Sequence, residues 1–301
     1  MATPFEFIAA SKPFRILVGP GKKEFTIHTE LLSRMSKPLQ TLVKGDMKEA
    51  REGVTEWPQI DEATFIRFWE FAYTGDYRAA EPSMDVSTPS TSTNSNANAP
   101  TRRYSNSRSY GEDIDISARR VVDSDSDMPG AGMFKREIKI SKLSGGPPRG
   151  VPSRITRGTP KDEMWRQFQD QFNSNQDKVQ TEQPNNNPLA NYSEVLLSHA
   201  RLYALADYYC VDALMALCLR KLHQMLAVFD LHGGARVADV AQLLDYSFEN
   251  TGNKADGLRS MLATYAACKI EELWGNAYFQ DVLESGEVAK AIIGQLMRRL
   301  Q

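Results

Sequence analysis

The chain has 301 residues, of which 41% are hydrophobic and 25% charged, and a formal net charge of −2. This near-neutral balance argues against general affinity for nucleic acid, and the hydrophobic share suffices for one or two packed domains even beside a long polar stretch. No apolar run approaches the roughly 18 residues of a membrane span. The start MATPFEFIAAS lacks a basic patch ahead of an apolar core, so an intracellular protein of the cytoplasm or nucleus is expected, with no membrane partner.

Residues 1–11 read as an N-terminal tail, after which FRILV (14–18) and EFTIH (24–28) form a hairpin around Gly19-Pro20-Gly21. His28 closes the second strand and is expected to order the start of the next helix by hydrogen bonding. Thr29 reads as the N-cap of a helix over 30–34. Ser36 caps a second helix whose first turn tolerates Pro38 and whose apolar side is Leu39, Leu42 and Val43, with Gly45 ending it. Val54 to Ile60 predicts a short strand that Pro58 confines to a sheet edge. Asp61 then caps a helix carrying Phe65, Phe68, Trp69, Ala72 and Tyr73 at the spacing of one buried stripe, and Gly75 stops it. Phe65, Trp69 and Tyr73 are expected in one core with Leu197 and Ala200.

Residues 83–188 turn to Ser/Thr/Asn/Pro/Gly-rich text with few large apolar residues to offset the entropy of ordering, and are expected to be a disordered insert. Within it, DSDSD (123–127) suits an acid-directed kinase or, preferably, serves as a solvated spacer. Residues 135–157 are basic and suit an anionic partner or, again preferably, a spacer. Trp165, Phe168 and Phe172, at i, i+3 and i+7, predict a short helix over 162–172 that docks back on the domain.

From Asn191 onward the pattern is helical. Leu197, Ala200, Ala204 and Tyr208 predict one stripe; Asp212 caps a second helix with Leu214, Leu217, Cys218, Leu222 and Met225; Val237, Val240, Ala241, Leu244 and Phe248 predict a third. Cys210, Cys218 and Cys268 fall inside these apolar patterns and are expected to be buried free thiols. None of His28, His199, His223 and His232 stands in a metal-binding spacing, and no nucleophile elbow, phosphate loop or dinucleotide fingerprint is present. Neither a cofactor nor a metal is expected, and the chain reads as a non-enzyme.

IHTELLSRMSKPLQTLVKGDMKEA followed by TFIRFWEFAYTGDY resembles the BTB/POZ domain in its fungal-type form: a His after the hairpin, an S-x-P-L helix start, an M-x-E after a Gly, and a Y-T-G closing a helix. LLSHARLYALADYYCVDAL resembles the closing helix pair of that domain. GLRSMLATYAACKIEELW and GEVAKAIIGQLMRRL resemble the BACK-like helical extension that follows many of its members. The resemblance implies an α+β fold, with a BTB/POZ first part at 12–82, the insert at 83–188, closing helices at 189–230 and the extension at 231–301. Loop-closure entropy permits such an insert, since each doubling of loop length costs only about 0.6 kcal/mol.

The resemblance also implies a function. Family members bind a cullin scaffold through an apolar-x-Glu motif ahead of the third strand, and Met47-Lys48-Glu49 matches it. Met47 suits a flexible anchor in a groove and Glu49 a rim group that fixes register; the competing reading has Met47 capping its own core and Glu49 solvated. The expected function is a protein–protein interaction module acting as substrate adaptor for a cullin-based ubiquitin ligase, and the alternative is a self-associating scaffold that never meets a cullin. Pro13 stands where many animal members carry an Asp, which puts a strand-swapped homodimer in doubt, although Phe5, Phe7 and Ile8 suit a simpler self-contact. No Kelch, MATH or zinc-finger module follows, so any substrate is recognised by the C-terminal helices or the insert.

Overall fold

The computed structural model describes residues 5–84, 159–171, 185–252 and 257–299. In chain order these form α1 (Phe5–Ala9), β1 (Pro13–Val18), β2 (Lys23–His28), α2 (Thr29–Met35), α3 (Lys37–Lys44), α4 (Lys48–Glu52), β3 (Val54–Trp57), α5 (Glu62–Thr74) and β4 (Ser83–Met84). There follow α6 (Pro160–Asp170), β5 (Ala190–Asn191), α7 (Ser193–Tyr208), α8 (Asp212–Val228), a 3-10 turn (His232–Gly234), α9 (Val237–Asn250), α10 (Gly257–Cys268), α11 (Ile270–Leu273), α12 (Ala277–Leu283) and α13 (Gly286–Arg299). The architecture is α+β, mostly helical around a small sheet.

The sheet has the order β2-β1-β3, with β1 antiparallel to β2 and parallel to β3. Its two-residue side-chain period puts Phe14, Ile16 and Val18 of β1 inside and leaves Arg15 exposed. β3 is an edge strand ending just before Pro58, where a missing backbone donor does least harm. Trp57, at its end, meets Phe65 at 5.8 Å, Phe68 at 5.7 Å and Tyr209 at 4.7 Å, so one aromatic cluster joins the sheet to α5 and to the end of α7.

The helix boundaries follow local chemistry. Ser36 accepts from the Leu39 amide and Asp61 from the Thr64 amide, each satisfying a donor that the first helical turn leaves over. Gly75 ends α5 in the left-handed region at φ 77°, where a side chain would be strained. α2 differs from the expected cap: the N-cap position is His28, not Thr29, and its side chain makes no capping bond.

α7 is the centre of the helical part. Leu196 to Ala200 are all buried, because α5, α8 and α9 pack on different sides of it. The expected single stripe is therefore too narrow at its start, and it is wrong at its end: Ala204 is half-buried and Tyr208 is 77% exposed, since the partners of α7 stop covering it there. The stripes of α8 and α9 are buried as their spacing predicts. Cys210 is a correction: it lies in the turn after α7 at φ 53° and is exposed, while Cys218 and Cys268 are buried free thiols.

β4 and β5 pair antiparallel, Ser83 with Asn191 and Met84 with Ala190, which ties the end of the first segment to the start of α7. The insert expected over 83–188 falls mostly outside the described residues, as do the DSDSD and basic tracts. α6 stands where the Trp165 and Phe168 spacing places a helix, starting at Pro160 after a capping box between Thr159 and Asp162; Phe172 lies outside the described residues. Among the described residues no helix is long and apolar enough to cross a membrane.

Candidate functional site

The surface around Met47 is built by two helix ends. Gly45 closes α3 by donating its amide to the Thr41 carbonyl, and the chain turns through Asp46 to Met47, the N-cap of α4. α4 is a single short turn whose Gly53 C-cap, at φ 65°, sends the chain into β3. Met47 is held out by this turn and is 60% exposed, with Asp46 and Lys48 exposed on either side. Glu49 is half-buried in the first turn of α4, where the helix dipole favours a carboxylate, and among the described residues no ion pair holds it. Met47 thus does not cap its own core. The two residues sit on one turn, Met47 more open than Glu49.

Charged groups surround them. Glu30 of α2 accepts from Lys44 and Arg34, both at 2.7 Å, and these two bonds, Lys44 first, hold its carboxyl below the usual range. Beside α4 a cleft of about 590 Å³ opens between the start of β1, the end of α3 and the α4–β3 turn, with Lys12, Arg15, Lys44 and Arg51 at its walls and Glu52 opposite. Met47 and Glu49 do not line this cleft; Met47 is an exposed apolar thioether on a charged turn.

His28 has a different task from the expected one. Its ring Nδ1 lies 2.7 Å from the Tyr73 hydroxyl, and that hydroxyl also receives the His28 amide at 3.3 Å. His28 ties the sheet edge to α5 instead of capping α2. Trp69 does the same one turn earlier: its indole N–H donates to the Thr26 carbonyl at 3.0 Å, and its ring packs on Tyr73 at 4.4 Å. Of the three aromatic residues expected in the core, only Phe65 is fully buried; Tyr73 is half-buried and Trp69 is 39% exposed. The physical reason is that β2 ends the sheet, so Trp69 and Tyr73 cover its outer edge and have nothing beyond them. Phe65 and Phe68 share a continuous core with Ala200.

A second cluster of titratable groups lies where the two segments flanking the insert meet. The Tyr77 hydroxyl is 2.6 Å from His199 Nδ1, while Lys221 Nζ donates to the Tyr77 carbonyl at 2.6 Å and pairs with Asp76 at 2.7 Å. Burial, with the Lys221 and Arg67 charges adding to it, pushes the His199 pKa down to about 3. Burial also pushes the Cys218 thiol up to about 12, against a hydrogen bond with Tyr77 and the Lys221 charge. Burial acts to raise the Asp76 carboxyl, but the Lys221 hydrogen bond, the Tyr77 amide and the Lys221 and Arg220 charges together outweigh it and hold the group below its usual range. Perturbed groups of this kind often mark catalytic sites, yet His199, Tyr77 and Cys218 are each at most 1% exposed and do not line the cleft beside α4. Their role is to join Tyr77 to α7 and α8.

Sequence reasoning missed Lys221 and Asp239. Asp239, 4% exposed, accepts from the Tyr192 amide and the Ser193 hydroxyl at the start of α7. The available signal was a charged residue interrupting an apolar stripe in each case. Among the described residues no group of three or more His, Cys, Asp or Glu is placed to hold a metal. Compared with known proteins, the chain matches no family model, no curated protein and no solved structure.

Proposed function

We propose that this chain is a non-enzymatic interaction module with a BTB/POZ-type first part and a BACK-like helical extension, and that Met47 and Glu49 dock a helical cullin-type scaffold. On this reading it is a substrate adaptor of a cullin-based ubiquitin ligase. The observation that carries the proposal is the 60% exposure of Met47 on a turn fixed by two glycine-capped helix ends. Holding a large apolar side chain in water serves no folding purpose, and a flexible thioether ringed by charge is what a groove-binding anchor requires. No cofactor, metal, nucleic acid or membrane enters the mechanism.

The test is capture of a cullin N-terminal region by the intact chain and by the Met47→Ala and Glu49→Ala variants. Met47→Ala is expected to weaken binding by more than about 1 kcal/mol, the usual threshold for an anchor residue, with the melting temperature unchanged. Equal affinity for both proteins, or a matching fall in stability, would favour the second reading, a self-associating scaffold. That reading draws on Phe7 of α1, 62% exposed, as the start of a contact between two copies. A Phe7→Ser variant whose mass in solution equals that of the original would remove its support.

A further inference from the structure

α6 packs like a ligand in a groove. Among the described residues it packs on α8, α10 and α13, all far from it in sequence. Lys161, Met164, Trp165 and Phe168, at i, i+3, i+4 and i+7, turn inward, whereas Asp162, Glu163, Arg166, Gln167, Gln169 and Asp170 are exposed. Phe168 sits between His223 of α8, at 4.6 Å, and Tyr265 of α10, at 5.7 Å. Trp165 stacks on Phe168 at 5.4 Å and carries the Lys269 ammonium 4.9 Å from its ring centre. Polar contacts fix the two ends: Lys161 pairs with Glu271 at 2.9 Å, and His223 Nε2 lies 2.5 Å from the Phe168 carbonyl.

This is the anchor spacing with which amphipathic helices enter grooves on other proteins. The fit is incomplete. A cleft of about 400 Å³ stays open between α6 and the α10–α13 wall, bordered by Met164 and Gln167 on one side and by Thr264, Gln295 and Arg298 on the other. α6 places one side chain, Phe168, in full burial, while α8 and α10 have their own packing against α7 and α9.

We propose that the α8–α10 groove is a docking site for an amphipathic helix of a partner protein, and that α6 is its internal occupant, displaced when the partner binds. The groove selects for a basic residue in the first turn to meet Glu271, an aromatic ring four residues on to take Lys269, and a second ring three residues later between His223 and Tyr265. It is independent of the Met47 surface. A helix tethered to its own groove faces it at an effective concentration on the order of millimolar, so a free helix of the same sequence competes poorly until the tethered one is disabled.

The probe is a fluorescein-labelled peptide of residues 159–171, titrated by anisotropy against the full chain and against a Trp165→Ala/Phe168→Ala variant. Apparent affinity is expected to be at least about tenfold tighter for the variant. Absence of binding to a folded variant would overturn the proposal. Because that variant could lose its fold, hydrogen exchange of the full unmodified chain gives a second reading: α6 amides are expected to exchange at least about 100-fold faster than those in the middle of α10. Equal exchange would make α6 part of the core and overturn the proposal. A concentration-dependent dimer of the unmodified chain that the peptide dissolves would assign the groove to exchange of α6 between copies and overturn the partner reading.

Discussion

His199 makes stability depend on acidity from a higher pH than the carboxylates do, since its titration in the unfolded chain begins near pH 6.5. It is fully buried, its Nδ1 is hydrogen-bonded to Tyr77, its Nε2 has no hydrogen-bond partner among the described residues, and its native pKa of about 3 lies below the ordinary value of 6.5. Below pH 6.5 the unfolded chain takes up a proton at this residue that the native state refuses, so acid favours unfolding. Stability due to His199 is thus complete above about pH 6.5 and falls by about 1.4 kcal/mol per pH unit down to about pH 3. Between pH 7 and pH 5 the loss is about 2 kcal/mol, a large part of an ordinary domain's stability. Urea unfolding at pH 7, 6 and 5 should show it, with His199→Asn as comparison. Asn retains a polar atom towards Tyr77 but cannot titrate; at pH 7 it lowers stability by about 1–3 kcal/mol through its unpaired amide donors, and this deficit shrinks as the pH falls. The variant should lose about 2 kcal/mol less than the original chain over this range. His223, whose pKa burial also lowers, acts in the same direction in both proteins and cancels in the comparison. Identical pH slopes for the two proteins would refute the reasoning.

Phe65→Ala should cost about 3–5 kcal/mol and Trp69→Ala only about 1–2 kcal/mol, because Phe65 is fully enclosed while Trp69 is part-exposed and holds one hydrogen bond; chemical denaturation of the two variants orders them. Gly45→Ala should cost about 1–3 kcal/mol, since a Cβ there collides with the Thr41 carbonyl, and should weaken any binding at Met47 by disturbing the turn; circular dichroism melting with a parallel capture assay reads both. A thiol reagent at neutral pH should modify Cys210 rapidly and Cys218 and Cys268 only on unfolding, because Cys210 is exposed while the other two are enclosed and the Cys218 thiol is pushed up to about 12; mass spectrometry of the native protein should find a single adduct.

What the sequence made legible is what neighbours along the chain decide. The β1–β2 hairpin, the caps at Ser36 and Asp61, the stop at Gly75 and the apolar stripes of α8 and α9 each depend on residues within about one or two turns, and each is found where its pattern puts it. The failures are long-range. His28 and Tyr73 are 45 residues apart, so the strand-end His looked like a local cap. Trp69 shares a helical stripe with Phe65, yet only the sheet order tells that β2 has no neighbour to cover that ring. Cys210 continued an apolar pattern across a turn whose backbone sits at φ 53°, and no period reveals a turn of that hand. Exposure of Met47 was legible because every flanking side chain resists burial, whereas the half-burial of Glu49 depends on how α4 lies against the rest.

The Tyr77–Lys221 bond spans 144 residues, and this separation has a consequence during synthesis. A ribosome adding roughly 5–20 residues per second needs roughly 7–30 s to pass from one partner to the other. For most of that interval, until α7 (Ser193–Tyr208) is made, Phe65 and Phe68 are present without the helix face that shields them. The nascent first part must therefore wait, with an aromatic surface open to water, for a lid encoded far downstream. An aromatic surface left open in this way is aggregation-prone, so a chaperone that holds it, or slow initiation that keeps neighbouring nascent chains apart, is expected to raise the yield of this protein.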